Sequence, residues 1–179
     1  MLKSLDLNFH LMIRIKFALT LHIILFSVFL QAQTFHTVED PDITFTLEIL
    51  ENWRVVDDGL VLSIIPPAGG NEYLNFTYYE TSEKNLDKAF EFTVLAFNKE
   101  DELETRIIDR GRDIIDKVEA RWALLSFEKQ GVLYHRLTYL LIKNGQYFIF
   151  RGSALPANFE HYRPLFEKMI RSLKTKKNL

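Results

Sequence analysis

Apolar and polar residues alternate from Ile43 through Phe45 and Leu47 to Ile49, the period of a strand with one buried face. Trp53-Arg-Val-Val continues that strand after Glu51-Asn52, and Asp57-Asp58-Gly59 reads as a turn. Leu60 to Ile65 predicts a second strand, closed by Pro66-Pro-Ala-Gly-Gly-Asn71, where proline lacks an amide donor and glycine permits positive φ. Tyr73 to Tyr79 predicts a third, rich in β-favouring side chains. The period then changes. Leu86, Ala89, Phe90, Thr93, Val94 and Phe97 recur at three- and four-residue steps, which predicts a helix capped by Asn85 or Ser82 and ending near Asn98. Thr34 to Asp42, polar and holding Pro41, reads as an irregular lead-in.

Strand patterning returns at Thr105. The segments Thr105–Ile115 (interrupted at Gly111), Ala120–Phe127, Val132–Ile142 and Tyr147–Leu155 are separated by short turn signals, of which Asn144-Gly145 is the strongest. They predict an antiparallel meander. A closing helix follows, with Phe159, Tyr162, Phe166, Met169, Ile170 and Leu173 on one stripe and Asn158 as its N-cap. Pro164 is placed in its first turn, with the start nearer Tyr162, or at a kink. The fold class is therefore α+β: an antiparallel sheet of about six to seven strands with helices packed on it, in the order β-β-β-α-β-β-β-β-α.

The first residues add a compartment. Arg14 and Lys16 precede an uncharged, mostly apolar run from Phe17 to Leu30, and Gln31-Ala32-Gln33 offers a small residue to cut after. That order predicts a signal peptide over residues 1–32, with Met12 an alternative initiator and residues 33–179 a single domain. The run falls short of the about 20 residues of a membrane span, which favours a cleaved signal over a retained anchor, with no stable span after cleavage. Localisation is read as exported, periplasmic or secreted. The chain has no cysteine, which rules out disulfides and a lipidated cysteine. Its net charge of −2 includes +2 from the leader (Lys3, Arg14 and Lys16 against Asp6), leaving −4 on the remainder. Such a balance gives no electrostatic case for nucleic acid.

With this element order, the local patterns Ile43-Thr-Phe-Thr-Leu…Asn52-Trp53 and Gly145-Gln-Tyr-Phe…Phe159-Glu-His-Tyr-Arg-Pro-Leu-Phe-Glu-Lys-Met-Ile-Arg-Ser-Leu resemble those of the PsbP-like superfamily. The resemblance covers about residues 42–174 and implies an α/β/α sandwich. The superfamily's named member is an extrinsic photosystem II subunit, and it shares the sandwich with a nuclear-transport GTPase-binding protein and many small exported bacterial proteins. Where relatives often carry a proline before the tryptophan and a glycine between the fourth and fifth strands, this chain has Glu51-Asn52 and Lys117-Val118-Glu119. The resemblance implies no catalytic residues and no photosynthetic role, because Gln33–Asp42 is no counterpart of the photosystem subunit's long docking extension.

The residues themselves offer little chemistry. Ser153 in Arg151-Gly-Ser-Ala-Leu lacks the second glycine of a nucleophile elbow. His36, His135 and His161 have no zinc-ligand spacing. Asp40-Pro-Asp42 and Asp57-Asp58-Gly59 read as turns rather than calcium loops, and Gly69-Gly70 lacks the lysine of a phosphate loop. Asn75-Phe-Thr77 is a glycosylation sequon inside a predicted strand. Glu102, Glu104 and Glu128 are the loop acids an unfamiliar carboxylate-based enzyme site would draw on, and they read better as solvated surface. No cofactor or metal is expected.

One constellation remains. Strand parity groups Tyr134, Arg136 and Thr138; Tyr147, Ile149, Arg151 and Ser153; and Tyr73, Asn75, Thr77 and Tyr79. If the three faces coincide, one side of the sheet carries tyrosines with arginines, residue types enriched at recognition hot spots. Tyr134, Arg136 and Arg151 are the candidate partner-binding residues. The alternative is that tyrosines pack on arginine stems. The functional expectation is a non-enzymatic exported domain that binds an unknown protein partner or supports an envelope complex, its specific role unread. The alternative is a small-ligand carrier with a pocket between sheet and helix, lined by Phe90, Phe97, Tyr139 or Phe148.

Overall fold

A computed structural model describes residues 35–40, 45–100 and 105–175. The expected signal peptide lies outside these residues, and among them no helix is long and apolar enough to cross a membrane. The elements in order are β1 (Phe35–Asp40), β2 (Phe45–Leu50), β3 (Arg54–Asp57), β4 (Leu62–Ile65), β5 (Tyr73–Glu80), α1 (Leu86–Glu100), β6 (Arg106–Ile115), β7 (Val118–Lys129), β8 (Val132–Lys143), β9 (Gln146–Ala154), α2 (Pro156–Arg171) and β10 (Lys174–Thr175). They belong to one compact unit, Phe35–Leu179.

The main sheet has seven strands in the order β3-β4-β5-β9-β8-β7-β6, all antiparallel. The chain makes β3 to β5, crosses through α1 to the far edge, and returns through β6 to β9 to dock on β5. A second, three-stranded sheet, β1-β2-β10, is built by both ends of the unit. The lead-in expected to be irregular thus contributes β1. The single strand expected from Ile43 to Val56 is two. A turn at Glu51-Asn52, closed by the Trp53 amide donating to the Leu50 carbonyl at 2.8 Å, sends β2 and β3 into different sheets.

Strand parity divides the main sheet into two faces, because successive side chains point to opposite sides. One face, with Leu74, Phe76, Leu137, Tyr139, Leu141, Phe148 and Phe150, packs against Phe45, Leu47 and Ile49 of β2 and Phe159, Phe166, Met169 and Ile170 of α2. Phe76 stacks on Phe150 with centroids 4.4 Å apart and meets Phe45 edge-on at 5.0 Å. Each such ring contributes about 1.5–3 kcal/mol by leaving water. The other face, with Ala123, Leu125, Leu140 and Ile149, receives Ala89, Phe90 and Val94 of α1. Asn85 caps α1, its Oδ1 accepting the Lys88 amide at 2.9 Å.

Helix α2 begins earlier than expected. Pro156 occupies its first turn, Leu155 is the N-cap, and no side chain caps it. Asn158 is therefore inside the helix and not its cap. Its Nδ2 donates instead to Oε1 of the buried Glu72 at 2.8 Å, which brings a carboxylate from the β4–β5 loop to the positive end of the helix. Pro164 lies within a continuous helix rather than in its first turn. It and Glu160, whose carbonyl the missing amide would have met, are both exposed, so this end of the lost bond is not in the core.

Gly111 does not interrupt β6. A Cβ there would lie 2.9 Å from the Trp122 indole, so the glycine is the flat seat of that ring on the neighbouring strand. The β6–β7 turn has no glycine. Asp116 and Lys117 adopt φ of 47° and 68°, a geometry that usually selects glycine or asparagine. Lys143 Nζ holds Asp116 there by donating to both its carbonyl and its carboxylate at 2.6 Å, and Thr175 of β10 donates its amide to the same carboxylate at 2.8 Å.

Candidate functional surface

The three parity groups do coincide. Across the α1-side face the register runs Arg54–Ile65, Tyr73–Ser153–Arg136 in one rung, and Val56–Ser63–Asn75–Arg151–Thr138 in the next. Thr77–Ile149 and Tyr79–Tyr147 follow. Helix α1 packs on β7 and β8, so the part of this face formed by β3, β4, β5 and the margin of β9 is not beneath it. There Tyr73, Asn75, Thr77, Tyr147 and Arg151 are half-buried, while Arg54, Val56 and Tyr79 are exposed, Tyr79 at 48%. Ser63 Oγ donates to Asn75 Oδ1 at 3.0 Å, fixing the amide on the surface.

The candidate residues take different places on this face. Arg136 is buried, with 4% exposure. Its Nε donates to Ser153 Oγ at 2.8 Å and an Nη to the Tyr73 hydroxyl at 3.2 Å, while the guanidinium lies 4.2 Å from the centroid of Phe127. Phe127 in turn stacks on Tyr134 at 5.4 Å. Arg136 thus positions Tyr73 and, through Phe127, Tyr134, and its own side chain is beyond a partner's reach. Arg151 lies one rung away between Asn75 and Thr138. Tyr79 meets Tyr147 edge-on at 5.1 Å; burial, then Tyr147, push its hydroxyl above the ordinary tyrosine value, and Arg151 opposes the shift. Arg54, Val56 and Ser63 complete the surface, and the sequence pattern did not single them out. The signal was present as β3–β4 parity, but it was hidden while β2 and β3 were read as one strand.

The other candidates hold structural positions. Ser153 is fully buried on Arg136. His135 packs edge-on against Phe159 at 5.5 Å, and His161 is exposed beside Tyr162. Asp57 and Asp58 cap their own turn, accepting the amides of Gly59 and of Leu60 and Val61. Glu128 is exposed at the end of β7. Glu102, Glu104, Asp42 and the side chains of His36, Asp40 and Phe97 lie outside the described residues. Phe90, Tyr139 and Phe148, three of the residues expected to line a pocket, form no common one. All three are core residues, with Phe90 on one side of the sheet and the other two on the opposite side, so they share no wall. An open cleft of about 570 Å³ lies instead at the sheet end, lined by Glu80, Thr81, Ser82, Asn144, Gly145 and Gln146.

On the opposite face, charged groups tie α2 to the edge of the sheet. Arg171 Nε donates to Asp113 Oδ2 at 3.0 Å, the Tyr139 hydroxyl donates to the same carboxylate at 3.3 Å, and Glu167 accepts from both Arg163 and Arg171. Burial, and then the negative Glu167 and Asp113, push the Tyr139 hydroxyl far above its ordinary value. These groups satisfy one another and converge on no open space.

No protein-family model matches this sequence, and no curated protein matches it. Solved structures do. Cyanobacterial PsbP (CyanoP) from Synechocystis sp. PCC 6803 superimposes with a TM-score of 0.64 at 15% identity, over 82% of this chain and 95% of its own. The Saccharomyces cerevisiae Ran-binding protein Mog1p gives 0.62 at 11% identity, over 80% and 96%. LpqN of Mycobacterium tuberculosis, involved in cell envelope biogenesis, gives 0.55 at 14%, over 80% and 91%. At these identities the likeness concerns the fold: the chain has the Mog1p/PsbP-like fold.

Proposed function

We propose that this protein is a non-enzymatic exported domain, residues 33–179 behind a signal peptide at residues 1–32, that binds a protein partner in the cell envelope. The observation that carries the reading is the open half of the α1-side face, where Tyr73 and Arg151 neighbour the hydrogen-bonded Asn75 and the Tyr79–Tyr147 pair lies two rungs along. Tyrosine supplies large contact area with few rotors and arginine supplies several donors in a planar fork, properties that concentrate binding energy at protein interfaces. The fold supports it by analogy alone: among proteins of this shape, Mog1p is a Ran-binding protein and LpqN acts in envelope biogenesis. On this face the buried Arg136 and Ser153 bond to each other, so these polar groups serve packing.

Co-purification from the native envelope with Tyr134→Ala, Arg151→Ala and Arg136→Ala tests the reading. The first two are expected to lose the captured protein while remaining folded by circular dichroism. Arg136→Ala is expected to lose stability, because it strips partners from Ser153 and Tyr73. If all three capture the same protein as the parent, this face is not a binding surface.

A further inference from the structure

Resting on the reading of that face as a partner surface, we infer that the partner is a protein presenting carboxylates to it. Strand parity segregates charge across this sheet. To the α1 side, β3, β4, β5, β9 and β8 bring Arg54, Arg151 and Arg136, with Tyr73, Tyr79, Tyr134 and Tyr147. The acids of the same strands, Asp57 and Glu80, have the opposite parity, so among these described strands the face carries no aspartate or glutamate. Two described acids of α1 are engaged elsewhere. Asp87 pairs with Arg112 and Arg121, and Glu91 with Arg110, on the flank of the helix that overlooks β6 and β7. Arg54 and Arg151, on described strands that bring no carboxylate to this side, make a local inversion of sign on a chain of net charge −2.

The chemistry of the face selects a protein over a membrane. These strands put no lysine on it, whereas surfaces that hold anionic lipid use lysine and arginine clusters. Its arginines stand among tyrosine hydroxyls and the Asn75 amide, groups that hydrogen-bond a carboxylate and its neighbouring peptide at fixed geometry. Exposed Arg54 and Val56 at one margin and Tyr79 at the other give this surface a charged and apolar rim. Charges at such a rim act mainly on association rate and salt dependence.

The test uses isotope-labelled protein and a synthetic peptide of alternating glutamate and leucine, with a glutamine–leucine peptide and phosphatidylglycerol vesicles as controls. The acidic peptide is expected to move the amide resonances of Arg54, Asn75, Tyr79 and Arg151, and the glutamine peptide to leave them unmoved. The Arg54→Glu and Arg151→Gln double variant, checked for folding by circular dichroism, is expected to weaken binding by about tenfold or more, as loss and reversal of interface charges do. Shifts confined to β6 or α2, unchanged affinity of the double variant, or equal binding to the vesicles would overturn the inference. Envelope capture separates the two levels. If Tyr134→Ala and Arg151→Ala lose the partner while Arg54→Glu binds it at the parental rate and salt has no effect, the face stands and its acidic complement falls. If the alanine variants capture normally, the underlying reading itself fails.

Discussion

A Cβ on Gly152 would stand 2.5 Å from the Phe166 ring, so α2 rests directly on the bare backbone of β9. Both residues are buried, and Phe166 also meets Trp53 edge-on at 6.1 Å, which leaves the ring no direction in which to retreat. Gly152→Ala is expected to cost about 1–3 kcal/mol through overpacking. Urea unfolding followed by tryptophan fluorescence measures it, and a midpoint equal to that of the parent would show that α2 can lift without penalty.

Asp116 makes stability depend on pH in acid. Burial pushes its carboxyl up, but the hydrogen bonds from Lys143 and Thr175 together with the lysine charge pull it further down, leaving it below its ordinary value. Its folded form therefore releases its proton more readily than the unfolded chain. The stabilisation is complete above the ordinary carboxylate range and is lost as pH falls through the folded value. Asp116→Asn, which tolerates the same positive φ, is expected to lower stability at neutral pH by about 1–3 kcal/mol. The difference from the parent should shrink in unfolding curves taken at progressively lower pH. A constant difference would mean the carboxylate charge is idle.

Tyr139 gives the converse effect in alkali. Its raised value means that the folded protein holds the phenolic proton after an unfolded tyrosine has released it. This contribution is complete below the ordinary value of about 10 and is lost as pH rises beyond it. Ultraviolet titration should therefore show one tyrosine that ionises only with unfolding, absent from Tyr139→Phe. Its ionisation with the exposed tyrosines in the folded state would contradict its burial beside Glu167 and Asp113.

Glu72 stands in for the missing cap of α2. Glu72→Ala is expected to destabilise by about 1–2 kcal/mol, by removing both the helix-end charge and the acceptor for Asn158. Glu72→Gln should recover part of that loss by keeping the acceptor. Thermal melts of the pair separate the two contributions, and equal losses in both variants would assign the effect wholly to charge.

Local pattern was enough for the meander, both helices and the sides of the sheet, because period and turn chemistry act over a few residues. The parity sets containing Tyr73, Arg136 and Arg151 were legible for the same reason. Other features required partners distant in sequence. Glu51-Asn52 separates two sheets because β2 pairs with β1 and with the distant β10, while β3 pairs with β4. Gly111 looked like a break until Trp122 was seated on it, and Asn158 looked like a cap until Glu72 was placed 2.8 Å away.

Of the tyrosine–arginine surface, the sequence by itself determined which side chains share a parity, since alternation is a property of the strand alone. The tertiary structure decided that β5 and β9 lie side by side, which aligns the parities. It also decided that α1 covers one half of the face and leaves the other open, and that Arg136 is a buried brace while Arg151 lies toward solvent. Burial depends on what packs above a residue, and that information is carried by elements far along the chain.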